Sequence, residues 1–200
     1  STLCSLKPGY HMDAQFLWQG LYQTIARANG AIAGVNTVSD PQTQDEVAFN
    51  DVAGHAYFVR AWSYFRLTTL WGDLPLWTEL PSQGNTNKAL STEIDVYAQI
   101  ISDLQMASSL MNGNAGVGYP KQYAANMLLS KIYMAIATNA SLQTSGGAMD
   151  YWTMAYDEGM KAYGQYSLVS DFGSLFTVEG ENSSESIFEL LDSKSEISKE

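Results

Sequence analysis

Few side chains in this 200-residue chain are equipped for covalent or metal chemistry, and their spacing argues against most kinds of it. His11 and His55 are its two histidines, and neither sits in a His-Glu-x-x-His or other metal-binding spacing. His55 falls inside an apolar helical stretch, where a packed imidazole is the simpler reading. One cysteine, Cys4, cannot form an intramolecular disulfide. There is no Gly-x-Ser-x-Gly elbow and no phosphate-binding loop, and the glycines of GNAGVG lack the strand that a dinucleotide fingerprint must follow. Paired carboxylates remain. Glycoside hydrolysis needs two of them about 5–10 Å apart, and Asp73 with Glu79, or Glu179 with Glu181 and Glu185, are the candidates. A turn accounts for Asp73, and an acidic loop, which could also hold calcium, accounts for the second group. The sequence therefore assigns no catalytic residue, metal ligand or cofactor, and hydrolysis ranks last among the readings.

Recognition chemistry is better represented. Aromatic residues make up 12% of the chain, with twelve Tyr and five Trp. An aromatic face offers apolar area for the C–H face of a sugar, while neighbouring amides and carboxylates meet its hydroxyls. The stretch WGDLPLWTELPSQGNTN concentrates this mixture, so Trp77, Glu79, Trp71 and Asn85 are the candidate ligand contacts. Trp71 also continues a helical strip begun by Tyr57 and Tyr64, which favours core over ligand contact for it. A net charge of −11 excludes a phosphate-binding surface, since nucleic acid is held by clustered Lys and Arg. No run of about 18 apolar residues is present to span a membrane.

These residues must be positioned by helices. Apolar positions at helical spacing predict helices over about 13–38, 44–71, 92–111, 120–138 and 149–164. Pro41 separates the first two, with Thr43 and Glu46 spaced as a capping box, and Ser91 or Thr92 can cap the third. Ala124, Tyr133, Ala155 and Ala162 are placed to interlock the last two, where Trp152 reads as packing. After them the helical period is lost, and SIFELL (186–191) reads as a short strand. Helical hairpins at roughly 35-residue spacing predict an all-α, tetratricopeptide-like α/α superhelix over 1–200, read as a single region. The chain opens on Ser1 without a signal-peptide pattern and ends on the polar DSKSEISKE, so it is expected to be part of a longer protein.

The helix over 44–71 carries apolar strips nearly all round: Val52, Ala56, Val59, Leu67 and Leu70, then Tyr57, Tyr64 and Trp71, then Phe58, Trp62 and Phe65. Burial on most sides follows, and Arg60 and Arg66 then need carboxylate or carbonyl partners. Gly72 and Pro75 stop the helix and launch the loop.

The segment HAYFVRAWSYFRLTTLWGDLPLWTE resembles the signature of the SusD/RagB family. Its landmarks are Arg-Ala, an aromatic pair and Leu, ending in Trp-Gly-Asp, an apolar residue, Pro and Leu. LWQGLYQTIARANGAIAGV, YAANMLLSKIYMAIA and FGSLFTVEGENSSESIFEL are similar to further family segments in the same order, so the resemblance covers about residues 16–192. It implies a helical, tetratricopeptide-like, non-enzymatic cell-surface lipoprotein. Such a protein binds a glycan, or in some members a peptide, and caps a SusC-type TonB-dependent outer-membrane transporter. The implied location is the extracellular face of the outer membrane, held by a lipid anchor outside this stretch. Cys4 is not that anchor, since Leu3 stands where a lipidation site needs a small residue. A protein-docking scaffold without its own ligand is the alternative.

Overall fold

The computed structural model describes residues 12–38, 46–81, 87–111, 116–144 and 147–190. Five helices carry the fold: α1 (Met12–Val38), α2 (Glu46–Trp71), α3 (Glu93–Leu110), α4 (Gln122–Thr138) and α5 (Ala148–Ala162). Among the described residues each helix packs chiefly on its neighbours in sequence, α1 on α2, α2 on α3, α3 on α4 and α4 on α5. That serial arrangement is the one by which helices with narrow apolar faces bury them in a stacked array. The main core runs through all five, with Ile25 of α1, Leu67 of α2, Ile100 of α3, Leu129 of α4 and Ala155 of α5 essentially out of water. Two short strands, β1 (Leu74–Pro75) and β2 (Leu90–Ser91), pair antiparallel and pinch the base of the loop between them.

Local chemistry sets the helix ends. Gly72 adopts a left-handed conformation (φ 73°) that ends α2 and returns its N–H to the Thr68 carbonyl at 2.9 Å. Thr92 caps α3, its hydroxyl accepting from the Asp95 N–H at 3.2 Å. Asp73 adds a second cap by accepting from the Glu93 N–H at 2.9 Å, so this carboxylate ties the loop entrance to α3. Thr43 of the expected capping box lies outside the described residues.

α2 is sandwiched between α1 and α3, and it is closely fitted. A methyl group at Gly54 would come within 2.6 Å of Met111 Cγ. Burial is less complete than the apolar strips implied. Val52, Trp62, Arg66 and Leu70 share one exposed side, while Ser63 and Thr68 are buried. Ser63 solves its own polarity by donating to the Val59 carbonyl of the preceding turn at 2.8 Å. Arg66 therefore needs no buried partner; its guanidinium lies 6.0 Å from the Trp62 ring, in reach of water.

α4 and α5 pack through small residues, with Ala124, Tyr133, Ala155 and Ala162 all buried. Ser130 donates to the Ala155 carbonyl at 2.7 Å, and Asn126 donates to Glu158 at 2.9 Å. Trp152 joins this packing only in part: it is 42% exposed and lines a groove with Ser130 and Met134 of α4. The strand expected at SIFELL is not formed over its described part, 186–190. Ile187 and Phe188 turn inward instead, and Phe188 meets Phe58 of α2 edge-on at 5.6 Å. Among the described residues the short strands are β1 and β2, well before the C-terminal segment in the sequence.

His55 is partly buried on α2, stacked at a tilt on Tyr119 (5.3 Å), and its Nε2 has no partner among the described residues. Burial lowers its pKa from the ordinary 6.5, against opposing influences from Asp51 and the Pro120 backbone. The neutral ring is thus favoured in the fold. Its contribution is complete above the unfolded value near 6.5 and is lost as pH falls through the lower folded value. Urea denaturation of the parent and of His55→Phe between pH 7.5 and 5 is expected to show a steeper acid loss in the parent; parallel curves would rule the effect out.

Candidate ligand-binding site

The loop that follows α2 is held from beneath by a buried polar knot. Arg60 of α2 donates in a two-pronged fashion to Asp103 of α3, Nε to Oδ2 at 2.8 Å and Nη2 to Oδ1 at 2.7 Å. Its Nη1 reaches the Asn29 Oδ1 of α1 at 2.7 Å and the Thr78 carbonyl of the loop at 3.0 Å. Gln99 donates to Asp103 Oδ1 at 2.8 Å. The two charged side chains are 5% and 1% exposed. Burial acts to lower the guanidinium's pKa, but the bonds to Asp103 and its charge outweigh it and raise the net value. The expectation that Arg60 is structurally partnered is met by a carboxylate on the facing helix and a loop carbonyl together.

Asn29 and two tyrosines complete the support. The Asn29 amide donates to the carbonyls of Trp77 and Glu79, both at 3.1 Å. The Tyr64 hydroxyl accepts from the Trp77 N–H at 2.7 Å and donates to the Trp77 carbonyl at 2.9 Å. Tyr22 of α1 donates to the Pro75 carbonyl at 2.9 Å and meets Tyr64 edge-on at 6.4 Å. Burial, the largest influence on each, raises both phenols well above their ordinary value, so they remain protonated donors at physiological pH. Residues 75–79 are thereby fixed at their backbone, with the Glu79 side chain exposed and the Trp77 ring half-buried, one side packed against the core.

These side chains line a cleft of about 220 Å³ together with Tyr22, Ile25, Asn29 and Pro81. Its wall is largely apolar, as a platform for a sugar's C–H face requires, with the Glu79 carboxylate at its rim. Lys88 places its ammonium over the Trp77 ring, 5.0 Å from its centre, a cation–π contact on one face of the indole.

Of the four residues expected to contact ligand, Trp77 and Glu79 are brought together in this cleft. Trp71 is not among its lining residues; it packs edge-on against Trp18 at 5.1 Å, on the fringe of the core. Asn85 lies outside the described residues. Asn29, Tyr22 and Lys88 were missed. The detectable signal was Arg60 itself, a guanidinium in an apolar helix that had to find partners from other elements. A second cleft, about 360 Å³ and polar, opens between the 116–121 loop and the 182–189 segment, with Tyr119, Tyr166, Asn182 and Glu189 on its walls. Among the described residues no group of three His, Cys, Asp or Glu could hold a metal ion. No described helix is long and apolar enough to cross a membrane.

Comparison with known proteins identifies the scaffold. The sequence model of a SusD-like family, described as "Starch-binding associating with outer membrane", matches residues 9–134. A SusD-like protein of Bacteroides ovatus is 27% identical over 181 residues, which is 86% of this chain and 32% of that protein. Among solved structures, a SusD superfamily protein of Bacteroides vulgatus superposes with a TM-score of 0.71 at 29% identity, covering 88% of this chain and 35% of that one. A further structure, solved with a xylogluco-oligosaccharide, gives a TM-score of 0.72 at 25% identity, covering 87% and 34%. The chain thus spans about a third of the length of these relatives.

Proposed function

We propose that this chain, which belongs to the SusD-like family, is the helical scaffold of a surface protein that binds a glycan without chemically altering it and passes it to a SusC-type TonB-dependent transporter. The observation that carries the reading is Trp77, a half-buried indole that lines an apolar cleft with Glu79, carries Lys88 over its ring, and sits on a loop whose backbone is fixed by Arg60, Asn29 and Tyr64. Preorganisation of this kind favours binding, because little loop entropy is lost when the ligand arrives. The oligosaccharide in one relative's structure supports a glycan as the ligand class. The family's association with the outer membrane supports a place on its outer face, held there by a lipid anchor. Binding rather than hydrolysis is favoured by Asp73, whose carboxylate is engaged with the start of α3 instead of facing Glu79 across a cleft.

The test is calorimetry on the full-length protein with maltoheptaose and a xyloglucan heptasaccharide. Trp77→Ala is expected to weaken binding by about 10–30-fold, the loss typical of a central aromatic contact of about 1.5–2 kcal/mol. Unchanged affinity would remove the Trp77 cleft from the reading, and release of reducing sugar would overturn the absence of catalysis.

The docking-scaffold reading draws on a different observation. Met149, Trp152, Tyr156 and Met160 form an exposed apolar stripe along α5, and the last three line a groove of about 270 Å³ with Met134 of α4. Co-purification with the transporter that survives while no glycan binds would favour it.

A further inference from the structure

The second cleft lies away from the Trp77 loop. α2 stands between them, with Arg60 and Tyr64 turned toward the loop and His55 and Phe58 toward Tyr119 and Phe188 at the other cleft. We propose that this cleft is a separate subsite for one or two rings of a neutral glycan, with Tyr119 and Tyr166 as its aromatic walls and the 182–189 turn as its source of hydrogen bonds. The inference rests on the reading of the ligand as a glycan, and extends it to a surface that sequence reasoning did not single out.

Several features show a built site. Tyr119 is 58% exposed as a residue, with its ring tilted on His55 at 5.3 Å, and Tyr166 is set edge-on to Tyr123 at 6.1 Å. Two tyrosines held by other rings lose little rotamer freedom when a sugar stacks on them. The facing wall is tied down by its own backbone. The Ser167 N–H donates to the Ser184 carbonyl at 3.1 Å, the Ser184 hydroxyl returns a bond to the Ser167 carbonyl at 3.0 Å, and the Val169 N–H donates to Glu185 at 3.1 Å. Asn182 takes a left-handed backbone (φ 56°), a conformation that Asn tolerates better than most residues, and its N–H donates to Glu189 Oε2 at 2.9 Å.

Polar capacity is left over on these walls. The Ser183 hydroxyl, on a residue of the cleft wall, is buried without a partner among the described residues. The Lys121 side chain does not cap the start of α4, so that first turn keeps backbone donors. Glu189 supplies an acceptor and Lys121 a cation, so the lining has no single sign of charge. Donors, acceptors and two ring faces suit a polyhydroxylated neutral ligand better than a carboxylate or phosphate.

The test is an NMR titration of full-length protein labelled in its Tyr and Trp rings, with maltoheptaose and a xyloglucan heptasaccharide up to millimolar concentration. Saturable shifts of the Tyr119 and Tyr166 signals are expected with at least one probe. Tyr119→Ala, at an exposed position, should weaken that response about tenfold while sparing the Trp77 signal. If Trp77 responds and the two tyrosines do not, the second subsite is overturned and the Trp77 site stands. If the tyrosines respond and Trp77 does not, this subsite stands and the Trp77 site fails. Silence at both with both probes overturns the two together.

Discussion

Replacing Arg60 with methionine is expected to lower the unfolding free energy of the full-length protein's helical region by about 3–5 kcal/mol, because it strands a buried carboxylate. Asp103 is 1% exposed and, among the described residues, would keep only the Gln99 amide as a side-chain partner. The Thr78 carbonyl and the Asn29 oxygen would also lose their donor. Urea denaturation followed by far-ultraviolet circular dichroism measures the loss. The double variant Arg60→Met with Asp103→Leu should recover much of it, since removing both charges also removes their desolvation cost. Arg60→Lys should recover little, because one ammonium cannot serve Asp103 twice while also reaching Asn29 and Thr78. A loss below about 1 kcal/mol for Arg60→Met, the range of an exposed ion pair, would show that the knot is not what holds the loop.

Tyr64 should be nearly as sensitive, and its two truncations separate two contributions. Tyr64→Ala empties a fully buried site beside Tyr22 and is expected to cost about 3–5 kcal/mol, as for other large aromatics in a core. Tyr64→Phe keeps the ring but leaves the Trp77 N–H without its acceptor, at about 1–3 kcal/mol. The same Phe variant should weaken glycan binding even where the protein remains folded, since the Trp77 backbone would lose both Tyr64 bonds and keep the Asn29 bond to its carbonyl. A Phe variant with parental stability and affinity would assign the hydroxyl no role.

Much of the scaffold was legible because helical period is a local signal. The helix expected over 92–111 spans Glu93–Leu110, and the one expected over 120–138 spans Gln122–Thr138. Gly72 and Pro75 marked the stop after α2 because their backbone restrictions act within the residue itself. Exposure was less legible. Val52 and Leu70 fit an apolar strip by spacing, but whether a neighbouring helix covers that strip depends on packing that the period does not encode. SIFELL carried strand-forming residues, yet a strand needs a partner edge, and Phe188 found Phe58 instead. In the site, Trp77 stood out as an aromatic residue in a loop. Its supports did not, because Asn29 lies 48 residues before it and Asp103 lies 43 residues after Arg60. The second cleft is assembled from three separate segments, and although 182–189 belongs to a family-like stretch, nothing in it marks the other two as its neighbours.

The Arg60 knot also imposes an order in time. At the usual rate of synthesis, about 5–20 residues per second, the 43 residues from Arg60 to Asp103 take about 2–9 s to be made. During that interval the guanidinium has water for company, and Trp77 has already been synthesised without the carboxylate that will steady the ground beneath it. The Trp77 loop is therefore finished by a helix that contributes no side chain to its cleft, and a nascent chain halted before α3 would carry every residue that lines that cleft without the carboxylate that braces it.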